Sequence, residues 1–233
     1  MNSTLYLLPT PLSEENIIEL TPPFNISVIK SCRHFVVEEL KTARRFLRAA
    51  DRTFPIDDAV FRELNEHTQP AELQEIFTMV LQNQTTVLMS EAGCPGVADP
   101  GAALVKMAHA KNINVVPLVG PSSILLAVMA AGLNGQNFAF NGYLPKDKTG
   151  RSQKIRSLEK LAAQQSQWFI ETPYRNTQLL DELLTTLSGS TYLSLAANIT
   201  APAEFIKTRT VAEWKQNRPD LNKIPCVFGI GRL

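Results

Sequence analysis

Two kinds of hydrophobic pattern alternate along the first half of the chain. Short apolar runs rich in β-branched residues predict buried strands, and longer segments with apolar positions at helical spacing predict amphipathic helices. Strands that alternate with helices need crossover connections, so the pattern predicts an open, mostly parallel sheet with helices on both faces. The predicted strands are Leu5–Leu8, Ile26–Ile29, Thr86–Met89 and Ile113–Val116, and the predicted helices lie near residues 36–50, 70–82 and 100–111.

Two of these helices are supported by individual positions. Pro70 marks the start of the second helix, because proline is favoured in a first helical turn, where its missing N–H has no intrahelical partner anyway. The first helix carries its charges on one face, and its apolar positions at helical spacing are Val36, Leu40, Ala43 and Leu47.

The pattern changes after Pro117. Residues 122–132 carry almost no charge, which predicts a helix that is buried on all sides. The last third is denser in strands, which is typical of a mixed sheet. We therefore predict an α/β protein of two lobes, an open, mostly parallel sheet in residues 1–117 and a mixed α/β lobe in residues 121–233. The second lobe has predicted strands in FAFNGY, Trp168–Ile170, YLSLA, AEFIKTRTV and CVFGI, and predicted helices ending near 165 and spanning about 174–187.

Composition narrows the function classes only a little. The 233 residues are 44% hydrophobic and 19% charged, with a formal net charge of +1, so a nucleic-acid contact would have to come from a local patch. The three cysteines and three histidines are dispersed, which disfavours a disulfide framework and a metal site. There is no signal-peptide pattern and no apolar run of about 20 residues, so we expect a cytoplasmic protein without a membrane segment.

Four loops that contain proline follow predicted strands, and two of them also contain glycine. Ligands of open α/β sheets bind beyond the carboxyl ends of the strands, and glycine lets the backbone approach a ligand closely. A structural interpretation stays open for each loop, such as a simple strand–turn–helix connection or, for Ser122, a helix N-cap. Neither a G-x-G-x-x-G nor a G-x-x-x-x-G-K-[ST] motif occurs. The loops lie at residues 9–11, 91–101, 117–123 and 171–175.

The loop sequences carry a family resemblance. In chain order they read SEAGCPGVADPG, VPLVGPSS, GYLPKDKTGR and IETPYR. They resemble the tetrapyrrole (corrin/porphyrin) methylase superfamily of S-adenosylmethionine (SAM)-dependent methyltransferases. Within it they are most similar to the branch that 2′-O-methylates a cytidine ribose in 16S ribosomal RNA, which shows SDAGTPxISDPG, VPLPGPSA, GFLPRK and ESPHR. The similarity runs from about residue 4 to about residue 230. It implies a homodimer of two-lobed chains with SAM folded in the cleft between the lobes.

The resemblance also implies roles for individual residues, position by position. Many of the cofactor contacts in the family are made by backbone, so residue type can vary where loop shape does not. Glu38 and Glu39 are implied as catalytic carboxylates that could accept a proton from a hydroxyl, and their alternative role is to fix a loop. The implied cofactor contacts are Cys94, Val97, Ser122, Ser123, Glu171, Ala196, Ile224 and Pro225, and the implied substrate side is Pro9, Thr10, Pro11, Lys41 and Arg44.

Departures from the branch pattern bear on the substrate. The pattern EDTR becomes Glu38-Glu39-Leu40-Lys41 here, and the pattern ARELTK becomes residues 196–201, AANITA. Two alternatives to an RNA methyltransferase therefore stay open: a methyltransferase of a tetrapyrrole or another small molecule, and a SAM-binding module without catalysis.

Basic residues favour RNA or a ribosomal subunit as the partner. Cations at helical spacing could bind phosphates, although a solvated helix face would show the same pattern. One group is Lys41, Arg44, Arg45 and Arg48, and a second is Lys146, Lys148, Arg151, Lys154 and Arg156.

Overall fold

The computed structural model describes residues 3–15 and 17–232. The chain divides into two compact units, Met1–Ser122, called the first unit, and Ser123–Leu233, called the second unit. Within the described residues, no helix combines the length and the apolar character that crossing a membrane requires.

The first unit is built around a five-stranded sheet in the order β3-β2-β4-β1-β5. All of its strand pairs are parallel, which confirms the predicted open, parallel sheet. Its elements are β1 (Thr4–Leu8), α1 (Ile17–Leu20), α2 (Pro23–Ser31), β2 (His34–Val37), α3 (Leu40–Ala50), β3 (Val60–Glu63), α4 (Pro70–Gln82), β4 (Thr85–Met89), α5 (Ala102–Ala110) and β5 (Asn114–Pro117).

Helices cover both faces of this sheet. Phe35 and Val37 of β2 belong to a buried cluster with α2 and α3, whereas Val36 between them belongs to a cluster with α4 and α5. Alternate residues of a strand point to opposite faces, so a strand covered on both sides must be apolar at every position. This explains the apolar runs Phe35–Val37 in β2 and Val87–Met89 in β4.

The second unit is built around a mixed sheet in the order β6-β7-β10-β8-β9. Only the β6–β7 pair is parallel, as expected for the strand-dense last third. Helices α7, α8 and α9 pack on one face, and α6 contacts β10. The elements are α6 (Ser123–Ala130), β6 (Phe138–Tyr143), α7 (Lys148–Leu161), β7 (Ser166–Ile170), a 3₁₀ turn (Pro173–Arg175), α8 (Asn176–Thr186), β8 (Tyr192–Ala197), β9 (Phe205–Thr210), α9 (Val211–Gln216) and β10 (Cys226–Gly231).

Two predicted elements are wrong near the N-terminus. The predicted strand Ile26–Ile29 lies inside α2, which has proline in its first turn and buries Val28 and Ile29 on one side. A short apolar run has no periodicity that separates a strand from a buried helix segment. Val36 lies in β2 and not in the following helix, which begins at Leu40.

The apolar helix α6 also differs from its prediction. It buries Ile124, Ala127 and Val128, but Leu125 and Met129 are 58% and 76% exposed. Absence of charge therefore does not specify burial on all sides, because apolar atoms make up much of any protein surface. The sequence analysis also missed β3 and α9, and α9 begins with a capping box formed by Thr210 and Glu213.

Candidate active site

The loops that follow β1 and β4 are hydrogen-bonded to each other at the carboxyl edge of the first sheet. The backbone groups of Thr10 and Gly93 exchange two hydrogen bonds of 2.9 and 3.0 Å. The Thr10 hydroxyl donates to the Ser90 carbonyl at 3.2 Å, and the Ser90 hydroxyl donates to the Gly93 carbonyl at 2.8 Å. Pro9, Thr10 and Pro11, predicted on the substrate side, thus lie beside the predicted cofactor loop.

Loop 90–101 has an unusual backbone conformation. Gly93 and Gly96 have φ of 86° and 78°, and Ala98, which has a side chain, has φ of 60°. A left-handed conformation costs a residue with a Cβ roughly 1–2 kcal/mol. Strain of this kind concentrates at ligand-binding segments. The two predicted cofactor residues here are Cys94, whose thiol pKa is raised by burial, and Val97, which is 49% exposed.

The segment after β5 closes on the same edge. A Cβ on Gly120 would lie 2.5 Å from the Pro9 Cβ, so only glycine permits this approach. The Cys94 thiol donates to the Pro121 carbonyl at 3.4 Å. Of the predicted serines, Ser122 ends the first unit and Ser123 begins α6 of the second. The structure therefore brings together three of the four predicted loops in one unit.

Glu39, one of the two predicted catalytic carboxylates, caps helix α3. Its carboxylate accepts backbone N–H bonds from Lys41 at 2.9 Å and Thr42 at 2.6 Å. It also accepts the Thr42 hydroxyl at 2.6 Å. The Thr42 side-chain and backbone bonds lower the pKa of Glu39 most, followed by the Lys41 backbone bond. Both oxygens are thus engaged, which suits a structural role.

Glu38, the other predicted carboxylate, faces loop 90–101. Its Oε2 accepts the Glu91 N–H at 3.0 Å. Burial, and then the charge of Glu38, raises the pKa of Asp99 to about 6 against the opposing backbone bond from Gly101. Burial, followed by the negative charges of Glu38 and Glu39, raises the pKa of Glu91. Glu91 and Asp99 were missed by the sequence analysis, although both lie inside the loop motif that it singled out. Among the described residues, no group of three or more His, Cys, Asp or Glu is arranged to hold a metal ion.

The cations of α3 differ in their pairing. Arg44 bonds Asp57 at 3.1 Å and Arg45 bonds Glu14 at 2.5 Å, both in exposed pairs. Lys41 and Arg48 form no ion pair with any residue in the ranges 3–15 and 17–232. A surface cavity of about 500 Å³ lies at the end of α3, and its lining residues are Arg48, Arg52, Phe54, Pro55, Ile56, Asp57 and Asp58.

In the second unit, the predicted cofactor residues lie at one edge of the mixed sheet. Val227 of β10 pairs with Ile170 of β7 and with Ala196 of β8, so the ends of β7 and β8 lie beside the start of β10. Glu171 directly follows β7, and Ile224 and Pro225 directly precede β10. This sheet register therefore brings together the four predicted positions Glu171, Ala196, Ile224 and Pro225.

Glu171 and Asn176 fix the backbone at this edge. Glu171 is 7% exposed, accepts the Thr172 N–H at 2.7 Å and pairs with Arg175. Asn176 is fully buried, and its Nδ2 donates to the Ile224 carbonyl at 2.6 Å. Within the described part of the chain, the Asn176 Oδ1 has no hydrogen-bond partner. Sequence reasoning did not single out Asn176, since an asparagine at a helix start usually signals only a cap.

The second predicted basic group loses one member. Arg151 is 4% exposed and bonds Glu182 at 2.7 Å, so it is a buried ion-pair residue and not a surface cation. Its Nη1 also donates to the carbonyls of Pro145 and Lys146. Lys146 and Lys148 remain exposed.

Known proteins resemble the chain in sequence. Residues 24–215 match the family model for tetrapyrrole (corrin/porphyrin) methylases. The ribosomal RNA small subunit methyltransferase I of Vibrio cholerae serotype O1 is 30% identical, over 90% of this chain and 69% of the relative. The protein of the same name from Escherichia coli O157:H7 is 29% identical, over 90% of this chain and 70% of the relative.

Solved structures resemble the chain in fold. The crystal structure of the methyltransferase CobJ matches with a TM-score of 0.65 at 16% identity. The match covers 100% of this chain and 95% of the CobJ chain. Uroporphyrin-III C-methyl transferase from Thermus thermophilus, complexed with S-adenyl homocysteine, has a TM-score of 0.60 at 14% identity, with coverage of 98% and 97%. At these identities the likeness establishes the fold and not the substrate.

Proposed function

The chain belongs to the tetrapyrrole (corrin/porphyrin) methylase family and is a SAM-dependent methyltransferase, and we propose that its acceptor is small-subunit ribosomal RNA. The observation that carries this proposal is the identity of 30% and 29%, over 90% of the chain, to two proteins named as ribosomal RNA small subunit methyltransferases. The motif resemblance described above supports a cytidine ribose 2′-hydroxyl as the methylated group. A homodimer and a cytoplasmic location are part of the same proposal, and light scattering of the purified protein tests the first.

The residues present fit the proposed cofactor. In the first unit, Cys94, Val97 and Ser122 belong to loops whose glycines leave backbone groups accessible to a ligand. In the second unit, Ala196, Ile224 and Pro225 are small or apolar, as expected beside a purine ring, and the buried Asn176 Oδ1 is an acceptor without a partner within residues 3–15 and 17–232. We propose these residues, with Ser123 and Glu171, as the SAM contacts.

Methyl transfer demands little covalent chemistry from the protein. SAM supplies a methyl group that its sulfonium has already activated. The chain must align the acceptor oxygen in line with the methyl and receive the proton of the hydroxyl. The hydrogen-bonded loops at residues 9–11 and 90–101 provide the fixed geometry that is needed to align the acceptor oxygen.

We propose that the proton acceptor belongs to the carboxylates Glu38, Glu39 and Glu91. Glu91 ranks first because its side chain is only partly buried and remains accessible to a ligand, and its raised pKa makes it a stronger base. Glu39 ranks last because its carboxylate already caps α3. Loss of a general base typically lowers a rate 10²–10⁴-fold, so we expect Glu91→Gln to lower kcat about 100-fold. Glu39→Gln serves as the matched control with a smaller loss.

The exposed face of α3 is the proposed RNA contact of the first unit. Lys41 and Arg48 lie about two helical turns apart. Their helix has 11 residues, which include four cations and no acid. Ion pairs as exposed as those of Arg44 and Arg45 contribute at most about 1 kcal/mol, so phosphates can displace their acidic partners. Each lost phosphate contact reduces the salt dependence of RNA binding.

The test is transfer of a labelled methyl group from SAM to purified small ribosomal subunits, large subunits and a uroporphyrin-type tetrapyrrole. We expect label only in small subunits, recovered as 2′-O-methylcytidine after nuclease digestion. Label in the tetrapyrrole, or in none of the three while SAM binds, contradicts the proposal.

Charge reversal locates the RNA contact. Lys41→Glu with Arg48→Glu should weaken subunit binding at least tenfold and flatten its salt dependence. Lys106→Glu with Lys111→Glu is the matched control at α5 and directly after it, where both lysines are exposed. Equal losses in the two double variants would argue against the α3 face.

A further inference from the structure

Tyr174 is an exposed aromatic residue at the edge of the mixed sheet where the proposed cofactor contacts of the second unit lie. It belongs to the 3₁₀ turn Pro173–Arg175, three residues after Glu171, and it is 75% exposed. An exposed ring alone indicates no function, because apolar atoms make up much of any protein surface. Two features distinguish Tyr174, the firm attachment of its backbone and the cation beside its ring.

The turn that carries Tyr174 is fixed by its neighbours. The buried carboxylate of Glu171 accepts the Thr172 N–H at 2.7 Å and pairs with the Arg175 guanidinium. The Arg175 N–H donates to the Thr172 carbonyl at 2.8 Å. Residues on both sides of Tyr174 are thus tied to one buried carboxylate, which leaves the backbone of the turn little freedom.

The segment before β10, residues 220–225, is hydrogen-bonded to the same turn. The Lys223 N–H donates to the Pro173 carbonyl at 3.0 Å. The Nδ2 of the buried Asn176 donates to the Ile224 carbonyl at 2.6 Å. One bond precedes Tyr174 along the chain and the other follows it, so the turn and the segment hold each other in place.

The Lys223 ammonium lies over the Tyr174 ring. Its Nζ is 5.9 Å from the ring centroid, which is within the range of a cation–π contact. Lys223 itself has φ of 61°, a left-handed conformation that is unfavourable for a residue with a Cβ. The ring is therefore restrained both by its backbone and by a cation from a neighbouring segment.

Two further residues at this edge have a left-handed backbone. Asn198 directly follows β8, has φ of 49° and donates its N–H to the Pro225 carbonyl at 3.0 Å. Thr200 has φ of 69°, which is rare for a β-branched residue. Backbone strain concentrates at ligand-binding segments, so its presence in two loops at one sheet edge favours a ligand there.

We propose that Tyr174 is a stacking platform for an unpaired base of the acceptor RNA, and that Lys223 is a positioning residue that restrains its ring. Sequence-specific RNA recognition relies on unpaired bases that stack on aromatic side chains. A ring that is already restrained loses little freedom when a base stacks on it. Because Glu171 is a proposed SAM contact, the stacked base lies close to the methylated ribose. The inference rests on the proposed function in that the acceptor is taken to be RNA.

Substitution of Tyr174 tests the platform in methyl transfer to small ribosomal subunits. Tyr174→Leu keeps an apolar side chain without an aromatic face, so the KM for subunits should rise about tenfold with little change in kcat. Tyr174→Phe restores the ring and should recover most of this loss. Phe24→Leu is the matched control on α2, where Phe24 is 63% exposed. An unchanged KM in Tyr174→Leu, or an equal rise in Phe24→Leu, would overturn the platform.

Salt dependence separates stacking from a phosphate contact. Stacking releases no counterions, so Tyr174→Leu should weaken subunit binding without changing the slope of log affinity against log salt. The double variant Lys41→Glu with Arg48→Glu should flatten that slope. A slope that flattens as much in Tyr174→Leu would contradict a stacking role.

Photocrosslinking locates the base. The probe is a short single-stranded RNA in which 4-thiouridine replaces uridine, irradiated with the native chain and S-adenosylhomocysteine. We expect mass spectrometry to find the crosslink on the peptide that contains Tyr174, and to find it lost in Tyr174→Leu. Crosslinks confined to other peptides would overturn the proposal.

Calorimetry with S-adenosylhomocysteine separates the platform from the cofactor site. Tyr174→Leu should bind this ligand as tightly as the native chain does, because the ring is assigned to an RNA base. A loss as large as that for subunits would overturn the platform in favour of a cofactor contact. If subunits are methylated and Tyr174→Leu keeps the native KM, only the platform fails. If the native chain methylates a tetrapyrrole and no subunit, the proposed acceptor and the platform fail together.

Discussion

The two units place their ionisable side chains in different surroundings. In the first unit, the Arg45–Glu14 pair leaves 52% and 70% of its side chains exposed, and the carboxylates of the sheet edge are partly exposed. In the second unit, the Arg151–Glu182 pair is only 5% and 9% exposed. Exposed charges can exchange partners at little cost, whereas a buried pair is fixed because an unpaired buried charge is costly.

This difference separates two kinds of support for a ligand. The edge of the first unit offers carboxylates that can titrate and cations that can accept new anions. The edge of the second unit offers carbonyls and apolar side chains held by the buried amide of Asn176 and the carboxylate of Glu171. We therefore propose the first unit for proton and phosphate chemistry, and the second unit for a rigid apolar contact.

The largest expected effect tests the fixed charges of the second unit. Arg151→Ala leaves Glu182 buried without its cation, and should lower the free energy of unfolding by about 3–5 kcal/mol. Both tryptophans, Trp168 and Trp214, are buried in the second unit, so denaturant unfolding followed by tryptophan fluorescence reports on that unit. Arg45→Ala is the matched control in the first unit, which has no tryptophan, so its unfolding is followed by circular dichroism and the loss should stay below about 1 kcal/mol. Similar losses in the two variants would break the comparison.

A smaller effect on the free energy of unfolding is expected at Glu39, which lies among the carboxylates at the edge of the first sheet. Its hydrogen bonds lower its pKa from the usual 4.5, so the folded state favours the ionised form. The stabilisation is therefore present above pH 4.5 and is lost as the pH falls through the lower pKa of the folded state. Glu39→Ala should cost about 1 kcal/mol at pH 7, as for other caps, and clearly less at pH 3.

Urea unfolding followed by circular dichroism at the two pH values measures this difference. Glu75→Ala on α4 is the control, because that glutamate is exposed and caps no helix. A loss that is the same at both pH values would show that the carboxylate charge does not stabilise α3.

The smallest effect concerns the strain in loop 90–101. Ala98→Gly relieves the left-handed backbone but adds freedom to the unfolded chain, so we expect a net stabilisation of about 0.5 kcal/mol. Asn112→Gly is the control at φ of 55°, where asparagine already tolerates this conformation and the gain should be smaller. If the strained loop is preorganised for SAM, Ala98→Gly should also weaken S-adenosylhomocysteine binding in calorimetry. Tighter binding would contradict a functional role of the strain.

Much of the fold was predictable where the hydrophobic pattern was long or where proline or polar residues marked its ends. The helix at residues 70–82 begins at Pro70, and the strands at β1, β4 and β5 end at polar or proline residues. The errors fall where the pattern is short. Residues 26–29 (ISVI) are too few to show a period, and β3 is a four-residue edge strand with exposed positions, so neither carries a periodic signal.

The candidate site was predictable as a set of loops and less so as chemistry. The four loop motifs located the edges where the structure brings together Thr10 with Gly93 and Ile224 with Asn176. Which carboxylate does what was not readable from the sequence, since Glu38 and Glu39 are adjacent and alike. Only the direction of each side chain separates the helix cap at Glu39 from the bond of Glu38 to the Glu91 N–H.

The sequence by itself determined the family, the alternation of strands and helices and the positions of the proposed ligand loops, because these depend on local pattern and on motifs in fixed order. The tertiary structure decided which charges are free and which are engaged. Arg151 belongs to a basic segment and yet lies buried against Glu182, 31 residues away. Asp99 owes its raised pKa first to burial and then to the charge of Glu38, which directly follows β2. Burial and electrostatic coupling depend on the distances between remote residues, and those distances exist only in the folded chain.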